Sequence, residues 1–211
     1  PTQRKYYKEL KDQMLLETAG EEISTVNAAA RMNKLLQISC GTVYSDSGAV
    51  VEFDVSSRLN VVEEVINEAS HKVLVFAPFR HAIEMLHAHL TKAGIACEVI
   101  HGDVPVRKRT DIFKRFQEKN DLKVLVIQPQ AASHGVTLTA ANVIVWYAPV
   151  TSTETYLQAN ARIDRPGQRN PMTIVHIEGS PVERKLYRML RENITNHTKV
   201  IDLYKNELSD T

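Results

Sequence analysis

Gln158, Arg162 and Arg165 follow one another at spacings of four and three residues, which on a helix brings three polar side chains to one face. Pro166 disfavours helical backbone at the residue before it, and Gly167 permits a tight exit. Arg165 is therefore expected at a helix end, facing outward. Two planar guanidiniums aimed the same way make a clamp suited to a polyphosphate, because each offers a rigid fork of N–H donors. The plainer alternative is a pair of solvated cations that favour the helix dipole.

Further residues able to do chemistry stand just after short apolar runs. Pro78-Phe79-Arg80-His81 follows Lys72-Val-Leu-Val-Phe-Ala77, and His101-Gly102-Asp103 follows Cys97-Glu-Val-Ile100, with Arg107, Lys108 and Arg109 close behind. Gln128-Pro129-Gln130 follows Lys123-Val-Leu-Val-Ile127 and opens a small-residue stretch that runs to Leu138. Between residues 101 and 119, six Lys/Arg stand against three Asp/Glu. A solvated helix face is the usual cause of such a run. Gripping a phosphate backbone without reading bases is the functional alternative.

The elements that must position these groups are legible from periodicity. The apolar runs read as buried strands, to which Val143-Ile-Val-Trp-Tyr147 and Thr173-Ile-Val-His-Ile177 add two more. Between them lie helical patterns: Leu59, Val62, Ile66 and Ala69; Ile83, Leu86, Leu90 and Ala93, stopping at Gly94; Ile112, Phe113 and Phe116; the Gln158 helix; and a closing helix with Val182, Leu186, Leu190 and Ile194. Such alternation predicts an α/β fold, a doubly wound parallel sheet flanked by helices, whose ligand groups gather beyond the strands' carboxyl ends.

Ahead of the sheet, Tyr6, Tyr7, Leu10, Met14, Leu15 and Leu16 predict an amphipathic helix over residues 3 to 18. A second helix, Thr25 to Ser39, should bury Ala29, Met32, Leu35 and Leu36. Thr42-Val-Tyr44 and Val50-Val-Glu-Phe53 flank the turn-rich Ser45-Asp-Ser-Gly48 and make a small hairpin.

Composition excludes more than it assigns. Lys and Arg total 26 against 25 acids in 211 residues, a net charge of +1, so any basic surface must be local. Cys40 and Cys97 form no CxxC and the histidines no zinc spacing, which implies a reducing compartment and no structural metal. No apolar run approaches a membrane span, and the polar start lacks a signal-peptide core. The expectation is an intracellular, cytoplasmic protein, nuclear if eukaryotic, with no membrane partner. A first residue of Pro suggests a piece of a longer chain.

Gln158-x-x-x-Arg162-x-x-Arg165-x-Gly167-Gln168 matches five positions within eleven residues and resembles the sixth signature motif of superfamily 2 helicases, in the form carried by Swi/Snf DNA translocases. Val124 to Leu138 resembles the fifth motif, with Gly135 and Leu138 in place. Ala132 and Ser133 stand where two glycines are usual, and Thr137 stands for the asparagine. The replacements keep the loop small enough for its backbone to approach phosphate or ribose. Lys72 to Leu86 resembles the fourth motif, His101 to Arg109 the segment after it, and Lys34-Leu-Leu-Gln-Ile38 the helix between two motor lobes.

The resemblance covers Gln3 to Leu190 and implies the second, RecA-like lobe of an ATP-driven Swi/Snf-type DNA translocase, with the compact phage and bacterial versions as the nearest type. It implies a division into residues 1–55, a helical extension and hairpin leading from a missing first lobe, and 56–211, the helicase C-terminal domain with its closing helix. Arg165 would be the arginine finger, Arg162 a second catalytic phosphate contact, and Gln158 and Gly135 further ATP contacts. Arg80, His81, Gly102, Arg107, Lys108, Gln128 and Gln130 would bind DNA, duplex rather than single strand. No Gly-x-x-x-x-Gly-Lys-[Ser/Thr] and no Asp-Glu pair occurs, so ATP and Mg2+ would be held mainly by the first lobe, and this fragment alone would be inactive. Two rival readings remain: a stand-alone, non-enzymatic nucleic-acid module, and a doubly wound enzyme for a small phosphorylated metabolite.

Overall fold

The computed structural model describes residues 2–18, 25–44, 50–132 and 135–192. The expectations for Ser45–Gly48, Ser133 and Ile194, and for the side chains of Met14, Leu15 and Leu16, lie outside what it describes. The elements run α1 (Thr2–Thr18), α2 (Thr25–Cys40), β1 (Thr42–Tyr44), β2 (Val50–Glu52), α3 (Ser56–Glu68), β3 (Lys72–Phe76), α4 (Arg80–Lys92), β4 (Cys97–Ile100) and α5 (Val106–Glu118). They continue with β5 (Val124–Ile127), a 3-10 turn (Pro129–Ala132), β6 (Ala141–Trp146), α6 (Thr153–Asn160), β7 (Thr173–His176) and α7 (Pro181–Arg191).

Cα packing separates two units, Ser56–Ile177 and the combination of Pro1–Val55 with Glu178–Thr211. The closing helix α7 groups with α2.

In the larger unit the strands lie in the order β4-β5-β3-β6-β7 and every pairing is parallel. The central β3 is sealed on both faces: Val73, Leu74, Val75 and Phe76 are fully buried, as are Val124, Leu125, Val126 and Ile127 of β5. That explains why these strands read as continuous apolar runs rather than alternating ones. Helices α4 and α5 bury Ile83, Leu86 and Leu90, and Ile112 and Phe116, against the sheet. Gly94 ends the α4 segment at φ 75°, a left-handed conformation that glycine adopts without a Cβ penalty. Lys72 places its ammonium on the carbonyl of Phe116 and over that ring, a cation at the C-terminus of α5.

In the smaller unit β1 and β2 pair antiparallel, with Thr42 opposite Glu52, as the hairpin expectation requires. Met32, Leu35, Leu36 and Ile38 form the buried stripe of α2. Ala29, expected in that stripe, is exposed; a single small side chain at the start of the pattern gives little burial to enforce it. The Gln3 amide donates to the carbonyls of Ile38 (2.6 Å) and Ser39 (3.2 Å), closing the last turn of α2. Ser39 Oγ lies 2.9 Å from Ser180 Oγ, joining α2 to the start of α7. There the fully buried Glu183 carboxylate accepts from Gly179 N–H (2.9 Å) and Ser180 Oγ (3.0 Å), a negative charge at a helix N-terminus.

One buried cation in the larger unit carries no signal in the sequence pattern. Arg58, on the first turn of α3, is only 8% exposed. Its guanidinium lies 4.7 Å from the centroid of the Tyr147 ring and donates through Nε to Tyr147 O at 3.1 Å and through Nη2 to Ile177 O at 3.4 Å. It thereby satisfies carbonyls just past the ends of β6 and β7, where the ladder stops. Removing a buried donor strands such acceptors at about 1 to 3 kcal/mol. Arg58→Met should therefore lower stability to urea by about 2 to 3 kcal/mol, with Arg58→Lys losing less. A loss within about 0.5 kcal/mol, the range of ordinary surface substitutions, would show that these carbonyls do not need Arg58.

Candidate phosphate and nucleic-acid site

Helix α6 begins at a cap, Ser152, whose Oγ accepts from Thr155 N–H at 3.2 Å. It is fixed to the sheet by two side-chain bonds, Trp146 Nε1–H to Asn160 Oδ1 and Tyr156 OH with His176 Nε2, both 2.9 Å. Trp146 also packs against the rings of Phe76 and Tyr156, at centroid distances of 4.8 and 5.1 Å.

The helix ends at Asn160, before either arginine, so Gln158, Arg162 and Arg165 do not share one helical face. The chain tightens into i to i+3 bonds, Arg162 N–H to Ala159 O (3.2 Å) and Ile163 N–H to Asn160 O (3.4 Å). The Arg162 carbonyl turns away to accept from Leu138 N–H at 2.9 Å, in the loop after β5. The spacing misleads because Pro166 has no N–H with which to continue the helix past Arg162, and the Arg162 carbonyl pairs with Leu138 N–H instead.

The three side chains part accordingly. Gln158 is exposed and donates to Glu154 Oε1 at 2.9 Å. Arg162 is 4% exposed, and burial first, then the Arg165 charge, pushes its guanidinium below the usual arginine range. Arg165 is half-buried; its Nη1 donates to Gly135 O (2.9 Å) and reaches Thr137 Oγ1 (3.4 Å), while Nε donates to Ala161 O (3.3 Å). Nη2 has no hydrogen-bond partner among the described residues, so part of the donor fork stays available.

Pro166 and Gly167 form the exit that the sequence predicts. Gln168 N–H closes a turn on Arg165 O at 3.0 Å, with Gly167 at φ 105°, the arrangement that Pro-Gly favours in a type II turn. The Gln168 side chain donates to Ala141 O (2.8 Å) and Ile163 O (3.1 Å) and accepts from Asn170 N–H (3.2 Å). It anchors the arginine turn to the start of β6.

Across from that turn, Gly135 has φ 73°, and nothing lies within 4 Å of where its Cβ would stand. The open space leaves room for a ligand group beside its backbone. Ala131 and Ala132 instead turn inward, 7% and 0% exposed, in the 3-10 turn packed on α6. Their small size serves packing against α6.

The second group lies at the carboxyl ends of the neighbouring strands β4, β5 and β3. Gln128 Oε1 accepts from Gly102 N–H at 3.2 Å. Arg109 donates through Nη2 to Gly102 O and through Nε to Val104 O, both 2.6 Å, so it holds the loop rather than facing solvent as a free cation. Arg107 and Lys108 are exposed and make no hydrogen bond or ion pair with described residues. Arg80 is exposed too, but bonded to Glu84 and Asp103, which raise its pKa. His81 is half-buried with Nδ1 3.8 Å from Glu84, and Gln130 is exposed on the 3-10 turn.

No helix among the described residues is long and apolar enough to cross a membrane. Residues 57–167 match the helicase conserved C-terminal domain, just over half of the chain. A Caenorhabditis elegans homologue of the SWI/SNF-related matrix-associated actin-dependent regulator of chromatin subfamily A containing DEAD/H box 1 is 25% identical over 154 residues, 72% of this chain but 16% of that protein. The Sulfolobus solfataricus SWI2/SNF2 ATPase core superposes on 99% of this chain with a TM-score of 0.75 at 18% identity, the chain spanning 45% of that structure. The same core in complex with dsDNA superposes with a TM-score of 0.68 at 20% identity, again over 99% of this chain and 45% of the other. The chain therefore belongs to the helicase conserved C-terminal domain family, and its parallel sheet has the RecA-like fold seen in SWI2/SNF2 ATPases.

Proposed function

We propose that this chain is the second motor lobe of an ATP-dependent, Swi/Snf-type DNA translocase, which closes over a nucleotide held mainly by a first lobe and carries part of the DNA track. The observation that carries the proposal is the Arg165 guanidinium, fixed by Gly135 O while part of its fork stays available, beside the buried charge of Arg162. Two like charges brought together by the fold are relieved by an anion, and burial reduces the screening of that attraction. The residues present fit a nucleotide polyphosphate on these grounds.

In this reading Arg165 stabilises charge that develops on the transferred phosphoryl group, and Arg162 supplies a second positive charge close to it. Gly135 approaches the nucleotide through its backbone, and Gln158 exchanges Glu154 for a linking hydrogen bond. ATP with Mg2+ supplies the reacting phosphate and neutralises part of its charge, held by groups outside this chain. Closing and reopening of the lobes would couple turnover to movement along duplex DNA.

For the DNA track, Arg107, Lys108, Gln130, Gly102, Gln128, Arg80 and His81 lie along the carboxyl ends of three adjacent strands. Phosphate contacts of this kind position a strand without reading its sequence. Similarity to a core whose structure was determined with dsDNA supports the choice of partner. The matched relatives are mostly eukaryotic, which lends no support to the phage or bacterial kinship expected from the sequence.

The test is the ATPase rate with DNA of this chain mixed with a separately made first lobe. The chain alone should hydrolyse nothing, and the mixture should turn over. An arginine finger contributes about 10³ to 10⁵ in rate, roughly 4 to 7 kcal/mol of barrier. Arg165→Ala should therefore nearly abolish turnover, with poor rescue by Arg165→Lys, whose point charge lacks the planar fork. Hydrolysis by the chain alone, or wild-type rates with Arg165→Ala, would contradict the assignment.

A further inference from the structure

Arg80 opens α4 at the carboxyl end of β3, within the surface assigned above to DNA, yet two carboxylates share its guanidinium. Nε donates to Glu84 Oε1 at 2.9 Å, one helical turn along, and Nη1 to Asp103 Oδ2 in the loop after β4. Glu84 is there by helical spacing. Asp103 is there because its loop is held: Arg109 binds the carbonyls of Gly102 and Val104 on either side of it, and Gly102 N–H is fixed by Gln128.

All three members of this cluster are exposed, with side chains 56% (Arg80), 51% (Glu84) and 66% (Asp103) accessible. Exposed ion pairs contribute little stability. Exchanging the Asp103 carboxylate for a phosphate oxygen at Arg80 is therefore close to neutral in free energy. Arg107 and Lys108, with no such partner among the described residues, are exposed cations on the same surface.

We propose that Asp103, aimed by the Arg109-held loop, is a positioning residue that competes with backbone phosphate for Arg80 and so weakens this lobe's grip on DNA. The proposal rests on the DNA-track reading. A motor that steps must release each phosphate it has held. A cation with a carboxylate to return to releases at low cost, since the bond it loses is replaced at once. Glu84 keeps the guanidinium oriented in both states, bound to carboxylate or to phosphate.

The experiment is equilibrium binding of the full-length protein to a DNA duplex over a range of salt concentrations, without nucleotide. Asp103→Asn keeps the size of the side chain and removes its charge. Affinity should rise about three- to tenfold at low salt, and the slope of log affinity against log salt should steepen by about one, the value for one more neutralised phosphate. A gain of binding cannot come from misfolding. In an Arg80→Ala background the same substitution should give no gain, a non-additivity that a general change of net charge would not produce. Lys108→Ala tests the track itself and should weaken binding. Unchanged affinity in Asp103→Asn, with weaker binding in Lys108→Ala, would overturn the competitor and leave the track standing. Unchanged binding in every variant would overturn both, and a gain that persists without Arg80 would overturn the competitor alone.

Discussion

Two hydrogen bonds join the loop after β5 to the turn after α6: Leu138 N–H to Arg162 O, and Arg165 Nη1 to Gly135 O, each 2.9 Å. Neither segment is regular structure, so neither could hold a guanidinium in place by itself. Each is carried by a strand adjacent to the central β3, β5 on one side and β6 on the other. The bonds convert the rigidity of that core into a fixed arginine, because the Gly135 carbonyl orients Arg165 and the Arg162 carbonyl keeps the turn closed. The Gln168 amide adds a third tie, back to the foot of β6. The guanidinium is thereby held in one orientation before any ligand arrives.

The strands were legible because burial on both faces leaves no alternation, only runs such as Val124 to Ile127. Gly94 and the Pro166-Gly167 pair were legible because their backbone preferences are local. The end of α6 was not, because the turn after Asn160 is tied to residues distant in the sequence: Arg162 O pairs with Leu138 N–H, and Arg165 with Gly135 O. Arg58 and Glu183 were invisible for a related reason. A charged residue at the edge of an apolar stripe looks solvated until the carbonyls or hydroxyls it satisfies are known. Ala132 invited a ligand-based explanation, while its burial against α6 is one of packing.

Electrostatics follow the same division between count and placement. The net charge of +1 conceals a surface where cations differ in availability. Arg109 is engaged by two carbonyls, Arg80 by two carboxylates, and Arg115 by Glu98 and Asp121, whereas Arg107 and Lys108 have no hydrogen-bond or ion-pair partner among the described residues. A run of basic residues in α5 therefore does not make a uniform patch. It separates into groups that build the loop and groups that face solvent, and only the latter attract phosphate at full strength.

The central claim is that Arg165 acts on charge that exists in the transition state and not on the bound nucleotide in general. Its most direct measurement compares the affinities of the full-length protein, with DNA present, for ADP and for ADP with aluminium fluoride, a mimic of the transferring phosphoryl group. For Arg165→Ala the account predicts that ADP binding changes less than about threefold, while binding of the mimic falls by at least about 10²-fold, approaching the loss in rate that an arginine finger commands. Equal losses for the two ligands, or none for either, would contradict it.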